Sequence, residues 1–305
     1  MSKRIRIGTR GSELALWQAN ETARKLTAAG YAPEIHVRTT TGDKRQDVPL
    51  ASVGGKGLFI KELEESLERG EIDIAVHSLK DVPSIIPSQF ALAGFLERAD
   101  PRDAWIQPGG KSIHEMPYGS IIGTSAPRRR AQLIESFPSL HIEPIRGNVD
   151  TRINKARAGQ FAGIILASAG LTRLGRASEI TSYFSVDEMI PAAGQGIVGI
   201  EVIANDRYAT DAVRAINHDP SEVAALCERG VLQRFGEQLD CYSAVAAHAT
   251  NENGRFTIRA FFADYDGTRA IRVSHSGTNP QDIITAVYDD LIAKGAMELL
   301  FAHRK

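Results

Sequence analysis

Hydrophobic and polar residues follow one another along the first part of the chain in short runs that predict strands, each followed by a helix. The strands are predicted at residues 5–9, 34–40 and 72–77, and the helices at residues 12–30 and 58–69. Ser12 suits the cap of the first helix, and Gly30 suits its end. This β-α-β-α-β order predicts a largely parallel sheet with helices on both faces.

The same pattern returns after a charged, proline-containing break at residues 97–103. Strands are predicted at residues 120–123, 141–145 and 163–167, with helices that begin at Pro127 and Asn148. Two similar α/β units in tandem predict a cleft between them, and ligands favour such clefts.

The pattern changes from about Ser221 onwards and predicts a smaller α+β unit. A helix is predicted to Phe235, then strands at residues 243–250, 256–263 and 269–276, then a helix over residues 280–301. Asp266-Gly267 is a hairpin signal between the last two strands. Cys241 stands at the front edge of this unit.

Length and charge narrow the class of protein. A chain of 305 residues is long enough for two domains or three small ones. The 43% of apolar and 24% of charged residues are typical of a globular protein. A net charge of -1 argues against a general nucleic-acid binder, whose domain is usually basic.

Cysteine, histidine and terminal sequence carry further exclusions. Cys227 and Cys241 are the only cysteines and lack metal or disulfide spacing, which favours a reducing compartment. The eight histidines are scattered, so no metal is expected. The chain shows no signal peptide and no membrane-length apolar run, and we expect a cytoplasmic protein with no membrane partner.

Two glycine-rich segments are similar in sequence to nucleotide-binding motifs. Residues 194–199 match GxGxxG but lead into a strand-like run, which favours a crossover between domains over a nucleotide site. Residues 54–57, Gly-Gly-Lys-Gly, lack the Ser or Thr of a phosphate loop. That segment is either a flexible surface loop or a mobile lid with Lys56 as a cationic contact.

Arginines recur where strands give way to helices. Three arginines follow Pro127 at the predicted N-terminus of a helix, where the positive end of the helix dipole disfavours cations. An anion bound at that end would make the same placement favourable. The alternative is a solvated charge run or a nucleic-acid patch. Because arginine binds carboxylates bidentately, the set favours a polycarboxylate or phosphorylated ligand. Its members are Arg10, Arg128, Arg129, Arg146, Arg152 and Arg173.

One acid and one thiol complete the candidate chemistry. Asp81 follows a buried strand, where α/β ligand sites form, although a turn role before Val82-Pro83 is the alternative. His77 is predicted to be a core histidine. Cys227 shares a helical face with apolar residues and is predicted to be a core residue, whereas Cys241 lies outside that helix.

Several segments in order along nearly the whole chain resemble one family. They are Thr9-Arg10-Gly11-Ser12, Val53-Gly54-Gly55-Lys56-Gly57, His77-Ser78-Leu79-Lys80-Asp81-Val82-Pro83, Asp100-Pro101-Arg102-Asp103, Gly123-Thr124-Ser125, Arg146-Gly147-Asn148-Val149 and Gly194-Gln195-Gly196. This set resembles porphobilinogen deaminase, also called hydroxymethylbilane synthase.

The resemblance implies an α/β fold of three domains: two like the halves of type II periplasmic binding proteins, and a small C-terminal α+β domain. The expected bounds are residues 1–97 with 197–217, residues 101–192, and residues 221–305. It also implies a dipyrromethane cofactor, built from two substrate molecules and held to a cysteine by a thioether. Cys241 is the matching position.

The resemblance further implies a monomeric transferase of tetrapyrrole biosynthesis. It joins four porphobilinogen molecules head to tail, releases ammonia and yields hydroxymethylbilane. Asp81 takes the catalytic position. The expected cofactor contacts are Ser12, Lys80, Asp81, Thr124, Arg128, Arg129, Arg146 and Gly147. The expected substrate contacts are Arg10, Lys56, Ser78, Arg152, Arg173 and Gln195.

The sequence departs from the family pattern at four places, one of which is Tyr242-Ser243-Ala244-Val245 after the cysteine, where the family usually has a Val-Pro-containing run. Leu239-Asp240 replaces Gly-Gly before the cysteine, Ala126 replaces a common serine, and Ser52 replaces a lysine of some members. A carboxylate beside the thiol is expected to raise its pKa and slow thiolate attack.

The rival classes are a non-enzymatic binder of a small anion and the effector domain of a transcription factor. The third domain and Cys241 count against the first. The second lacks a helix-turn-helix segment.

Overall fold

The structure, a computed structural model, describes residues 3–38, 60–240, 242–264 and 266–301. The described strands are β1 Lys3–Arg10, β2 Tyr31–Arg38, β3 Ile74–Ser78, β4 Phe90–Phe95, β5 Asp103–Ile106, β6 Ile121–Gly123, β7 His141–Glu143, β8 Gly163–Ala167, β9 Ser182–Tyr183, β10 Val198–Ile203, β11 Ala244–Glu252, β12 Arg255–Ala263 and β13 Ala270–Gly277. The described α-helices are α1 Glu13–Ala28, α2 Lys61–Glu68, α3 Pro127–Ser136, α4 Val149–Arg157, α5 Ser168–Arg173, α6 Arg207–Arg214, α7 Asp219–Gln233, α8 Pro280–Ala293 and α9 Ala296–Phe301.

The chain divides into two compact units, of which the first comprises Met1–Ala99 and Gly196–Ala225. Its sheet has the order β2-β1-β3-β10-β4. β1 is parallel to β2 and β3, whereas β10 runs antiparallel between β3 and β4. Apolar residues of β1, β3 and β10 form the core, and the late strand β10 completes the sheet that the first residues begin.

The second unit comprises Asp100–Gln195 and Leu226–Lys305. Its larger sheet has the order β7-β6-β8-β5-β9, with β6 parallel to β7 and β8 and with β5 antiparallel. This repeats the arrangement of the first sheet, since three parallel strands adjoin one antiparallel strand and an edge strand.

A three-stranded antiparallel sheet, β11-β12-β13, belongs to the same unit. Ala131 of α3 packs with Ala244 of β11 and Phe261 of β12 in one buried cluster. The predicted fold class, two α/β parts and a small α+β part, is therefore confirmed. The three-domain bounds stay a prediction, because contacts join residues 100–195 and 226–305 into one unit.

Local capping signals explain where several helices begin. Ser12 caps α1 by accepting a hydrogen bond from the Ala15 N–H at 3.3 Å. Asn148 caps α4 in the same way, at 2.9 Å from the Thr151 nitrogen. Pro127 occupies the first turn of α3, where its missing N–H has no helical partner to lose.

Two predictions about elements are wrong. The helix predicted over residues 280–301 is two helices, because Gly295 adopts a φ of 90° between α8 and α9. The predicted break at residues 97–103 ends inside a strand: Asp103 begins β5 and is completely buried. Its charge is neutralised within the fold, which local sequence patterns do not reveal.

Candidate functional site

In the first unit, the predicted site residues collect at one edge of the sheet. Arg10 is the last residue of β1, Ser12 caps the helix that follows, and Ser78 is the last residue of β3. Because β1 and β3 are parallel neighbours, their carboxyl ends meet at the same edge. The structure thus brings these residues to one side of the unit.

Asp81 lies in a short 3₁₀ turn, Leu79–Asp81, directly after β3. Leu79 anchors the turn, since its side chain is buried and its N–H donates to the Ile197 carbonyl at 3.0 Å. The side chain of Asp81 is exposed and that of Lys80 half-buried. A carboxylate is therefore presented from a backbone that the sheet holds in place.

His77 is buried in β3, and its Nε2 lies 2.9 Å from Oε2 of the completely buried Glu201. The prediction that His77 is a core histidine is confirmed. Its partner comes from β10, two positions along from the residue paired with His77, Gly199. Sequence reasoning did not identify Glu201, because the two residues meet only when β10 returns to the first sheet.

In the second unit, the predicted residues follow three parallel strands. Thr124 follows β6, Arg146 and Gly147 follow β7, and Arg173 ends the helix after β8. Gly147 has a φ of 112°, and a Cβ there would lie 2.5 Å from Thr151 Cγ2, so the position needs glycine. Its carbonyl accepts from Nε of Arg152 at 2.8 Å.

Arg128 and Arg129, at the start of α3, are buried around one acid. Arg128 Nη1 donates to Asp103 Oδ2 at 2.6 Å, and Arg129 Nη2 donates to Asp103 Oδ1 at 2.7 Å. Both arginines are about as buried as core residues, with relative exposures of 5% and 6%. The solvated charge run, kept open as the alternative for these two arginines, is therefore wrong.

Gln195 completes this cluster from the end of the second unit's first segment. Its Nε2 donates to Asp103 Oδ1 at 3.0 Å and to the Pro101 carbonyl at 2.7 Å. Its Oε1 accepts from Arg128 Nη2 at 3.0 Å. Sequence reasoning found Gln195 through its motif but missed Asp103, whose signal was the acid that opens the apolar run Asp103-Ala104-Trp105-Ile106.

The charges in the cluster keep Asp103 ionised. Burial alone would raise the pKa of the Asp103 carboxyl, but the charges and hydrogen bonds of Arg128 and Arg129 outweigh burial and hold that pKa well below its usual range. Asp103 is therefore ionised, and two guanidinium groups share one carboxylate. Elsewhere in the unit, burial lowers the pKa of Arg173 to about 10, which still leaves it charged at neutral pH.

Of the two cysteines, Cys227 lies among the described residues and Cys241 does not. Cys227 has a relative exposure of 1%, so the prediction of a core residue is confirmed. Burial, with the neighbouring Glu228 charge, raises the pKa of its thiol to about 11. The predicted attachment residue Cys241 and the predicted lid contact Lys56 lie outside the described residues.

The residues on either side of Cys241 form a local hydrogen-bonded turn. Asp240 Oδ1 accepts from the Tyr242 N–H at 3.0 Å and from the Ser243 hydroxyl at 2.9 Å. The Ser243 Oγ in turn accepts from the Asp240 N–H at 3.0 Å. The Asp240 side chain is thus bonded to both Tyr242 and Ser243, as in a turn closed by an aspartate.

Neither a metal-ligand cluster nor a membrane-spanning helix is found in the part of the chain that the structure describes. In residues 3–38, 60–240, 242–264 and 266–301, no cluster of three His, Cys, Asp or Glu side chains is arranged to hold a metal ion. Within the same part of the chain, every helix is too short or too polar to cross a bilayer.

Comparison with known proteins decides the family. Residues 5–211 match the family model described as "Porphobilinogen deaminase, dipyromethane cofactor binding domain". The chain belongs to the porphobilinogen deaminase family. Membership supports a role in tetrapyrrole biosynthesis by porphobilinogen polymerisation, with a dipyrromethane cofactor.

Relatives within this family match nearly the whole chain. A porphobilinogen deaminase of Geobacter metallireducens is 45% identical over 98% of this chain and 94% of its own. That of Desulfitobacterium hafniense is 42% identical over 97% and 96%, and that of Thiobacillus denitrificans 41% over 98% of each. Among solved structures, the methionine-binding protein MetQ is 13% identical over 72% of this chain and 92% of its own, with a TM-score of 0.46.

Proposed function

We propose that this protein is a hydroxymethylbilane synthase in which Asp81 is the catalytic carboxylate and Cys241 carries the dipyrromethane. The observation that carries the proposal is the position of Asp81, exposed at the carboxyl end of β3 on a turn anchored by Leu79. Family membership supplies the reaction, and this position supplies a residue that can act in it.

The reaction breaks one C–N bond and forms one C–C bond in each cycle. Porphobilinogen loses ammonia from its aminomethyl group, and the remaining cation is attacked by a free pyrrole α-carbon, which then loses a proton. When bound, the dipyrromethane supplies the first such carbon. Asp81 holds pyrrole N–H groups and stabilises the developing positive charge, an electrostatic role suited to a fixed carboxylate.

The chemistry of the donor set fits a cofactor that carries carboxylates. Arg128 and Arg129 together bear two positive charges, and Asp103 bears one negative charge in the same buried cluster. A buried cluster with an excess cation is stabilised by a further anion. The residues proposed to hold the cofactor are Ser12, Lys80, Asp81, Thr124, Arg128, Arg129, Arg146 and Gly147, with Cys241 as the covalent link.

The remaining polar residues are proposed to bind the acetate and propionate groups of porphobilinogen. Their support is the recurrence of arginine after parallel strands, because each guanidinium binds a carboxylate through paired, charge-assisted hydrogen bonds. The proposed substrate contacts are Arg10, Lys56, Ser78, Arg152, Arg173 and Gln195.

The finer expectations on organisation also stay proposals. The chain is proposed to form three domains, at residues 1–97 with 197–217, residues 101–192, and residues 221–305. It is proposed to work as a cytoplasmic monomer, without nucleic-acid or membrane partners. The two cysteines without disulfide spacing support a reducing compartment.

Intact mass and product formation test the proposal together. The purified enzyme should exceed its sequence mass by one dipyrromethane and should release hydroxymethylbilane from porphobilinogen. The rival class, a binder of a small anion, predicts a different result. Such a protein would match its sequence mass, gain no mass on incubation with porphobilinogen and form no hydroxymethylbilane.

A further inference from the structure

Asp103 is a buried carboxylate with many hydrogen bonds, and it has no part in the reaction proposed above. It is completely buried and accepts hydrogen bonds from three side chains. Its Oδ1 alone accepts from Arg128 Nη2 at 3.1 Å, from Arg129 Nε at 3.0 Å and Nη2 at 2.7 Å, and from Gln195 Nε2 at 3.0 Å. One oxygen thus sets the orientation of two guanidinium planes and one amide.

The backbone of Asp103 is as fixed as its side chain. Asp103 pairs with Ala167 across β5 and β8, and its carbonyl accepts from the Phe184 N–H at 3.0 Å. The sheet therefore fixes the backbone of Asp103, and the arginines of α3 fix its carboxylate. A carboxylate fixed in this way can hold the neighbouring guanidinium and amide groups in position.

The bonds of Arg128 limit what it can offer a ligand. Its Nη1 donates to Asp103 and to the Ile190 carbonyl, and its Nη2 donates to Asp103 and to Gln195. Since a guanidinium has five N–H donors, these four bonds leave Arg128 at most its Nε–H. Arg128 therefore contributes mainly charge to a bound carboxylate, not a bidentate contact.

We infer that Asp103 is a positioning residue for cofactor binding: its buried carboxylate holds Arg128, Arg129 and Gln195 in the arrangement that accepts a carboxylate of the dipyrromethane. The inference rests on the proposed function. Asp103 keeps two adjacent cations together that would otherwise repel, and it leaves one positive charge in excess for the ligand.

The test compares Asp103→Asn and Asp103→Glu with a control from the same segment, Asp100→Asn. Asp100 accepts a hydrogen bond from Arg102, and the side chains of this pair are partly exposed. Neither residue belongs to the proposed site. Each protein is produced without cofactor in a host that makes no porphobilinogen, and its gain of cofactor on incubation with porphobilinogen is followed by intact mass while thermal unfolding reports the fold. We expect Asp103→Asn to take up cofactor about tenfold more slowly, the equivalent of one charge-assisted hydrogen bond, and Asp100→Asn to match the parent.

Asp103→Glu keeps the charge and shifts the carboxylate by one methylene, so it serves if Asp103→Asn does not fold. A folded Asp103→Glu that loads slowly supports positioning, whereas a folded variant of either kind that loads at the parental rate overturns it and leaves Asp103 a structural residue. If neither variant folds, Asp103 serves the fold and the inference is also overturned. A parent enzyme that gains no cofactor from porphobilinogen would instead contradict the proposed function.

Discussion

Gln18 donates a hydrogen bond from Nε2 to the Ser78 hydroxyl at 2.8 Å, and Gln18 is almost completely buried. This bond ties α1 to the last residue of β3, three positions before Asp81. With the bond from Leu79 to Ile197, it fixes the start of the Asp81 turn from two sides. The proposed catalytic carboxylate thus stands on a backbone held by a helix and by a strand.

Asp81→Ala should retain the fold and lose nearly all turnover, because it removes the proposed negative charge near the pyrrole nitrogens. Asp81→Glu should retain a little, since the charge survives in a displaced position. Hydroxymethylbilane formation is measured after cofactor content and thermal unfolding are checked. Near-normal turnover in a folded, cofactor-loaded Asp81→Ala would move the search to another acid.

Gln18→Ala should lower the free energy of unfolding by about 1 kcal/mol and reduce turnover, because the Ser78 hydroxyl loses its partner. Asn20→Ala is the matched control, since Asn20 lies on the exposed side of the same helix and bonds only locally, to the Leu16 carbonyl. A double-mutant cycle with Ser78→Ala measures the coupling. Additive effects of the two changes would show that the bond does not support the turn.

Arg152→Leu should reduce turnover about ten- to a hundredfold, as expected for the loss of one charge-assisted contact to a substrate carboxylate. Arg157→Leu, on the same helix, removes an exposed ion pair with Glu179 and should leave turnover unchanged. Steady-state assays with porphobilinogen make the comparison. Equal effects of the two changes would assign Arg152 to the fold instead of the site.

Cys241 should carry the dipyrromethane, and Cys227 should carry nothing. At pH 8, a thiol with a pKa of about 11 is ionised to about one part in a thousand, and burial also shields Cys227. Peptide mapping of the native enzyme locates the modification, and Cys227→Ala is expected to load normally. Cofactor on Cys227, or on a Cys241→Ala protein, contradicts the assignment.

Asp240 should affect cofactor attachment in two opposite ways. Its side chain fixes the turn through Tyr242 and Ser243, whereas its charge opposes formation of a neighbouring thiolate. Asp240→Asn keeps an oxygen acceptor without the charge and should load faster than the parent; Asp240→Ala loses the turn and should load more slowly. Loading is followed by intact mass, with the exposed Glu237→Gln as control, and equal rates for both Asp240 variants would refute the turn's role.

Local signals in the sequence were sufficient for the parts of the fold that neighbours along the chain determine. Ser12, Asn148 and Pro127 each predicted a helix start, because capping and proline geometry act within one turn. The position of Asp81 after a buried strand was predicted from the apolar run of that strand. Gly295 carried a local signal too, but the apolar pattern on either side concealed the break it causes.

Contacts between distant segments could not be predicted in this way. Asp103 looked like part of a charged break, and its burial depends on Arg128 and Arg129, which come from a helix more than twenty residues later. The partner of His77 comes from residue 201. In both cases the sequence showed the polar residue, but only the assembled sheets determine its partner.

Helix α3 contacts both Asp103 and the small sheet. Its first turn carries Arg128 and Arg129, and one turn further on Ala131 packs against Ala244 and Phe261 of the small sheet. Ala244 lies three residues after Cys241. One short helix therefore joins the buried Asp103 cluster to the small sheet. The arginine pair and the segment that bears Cys241 therefore belong to the same compact unit, so a change that unfolds α3 is expected to disturb both.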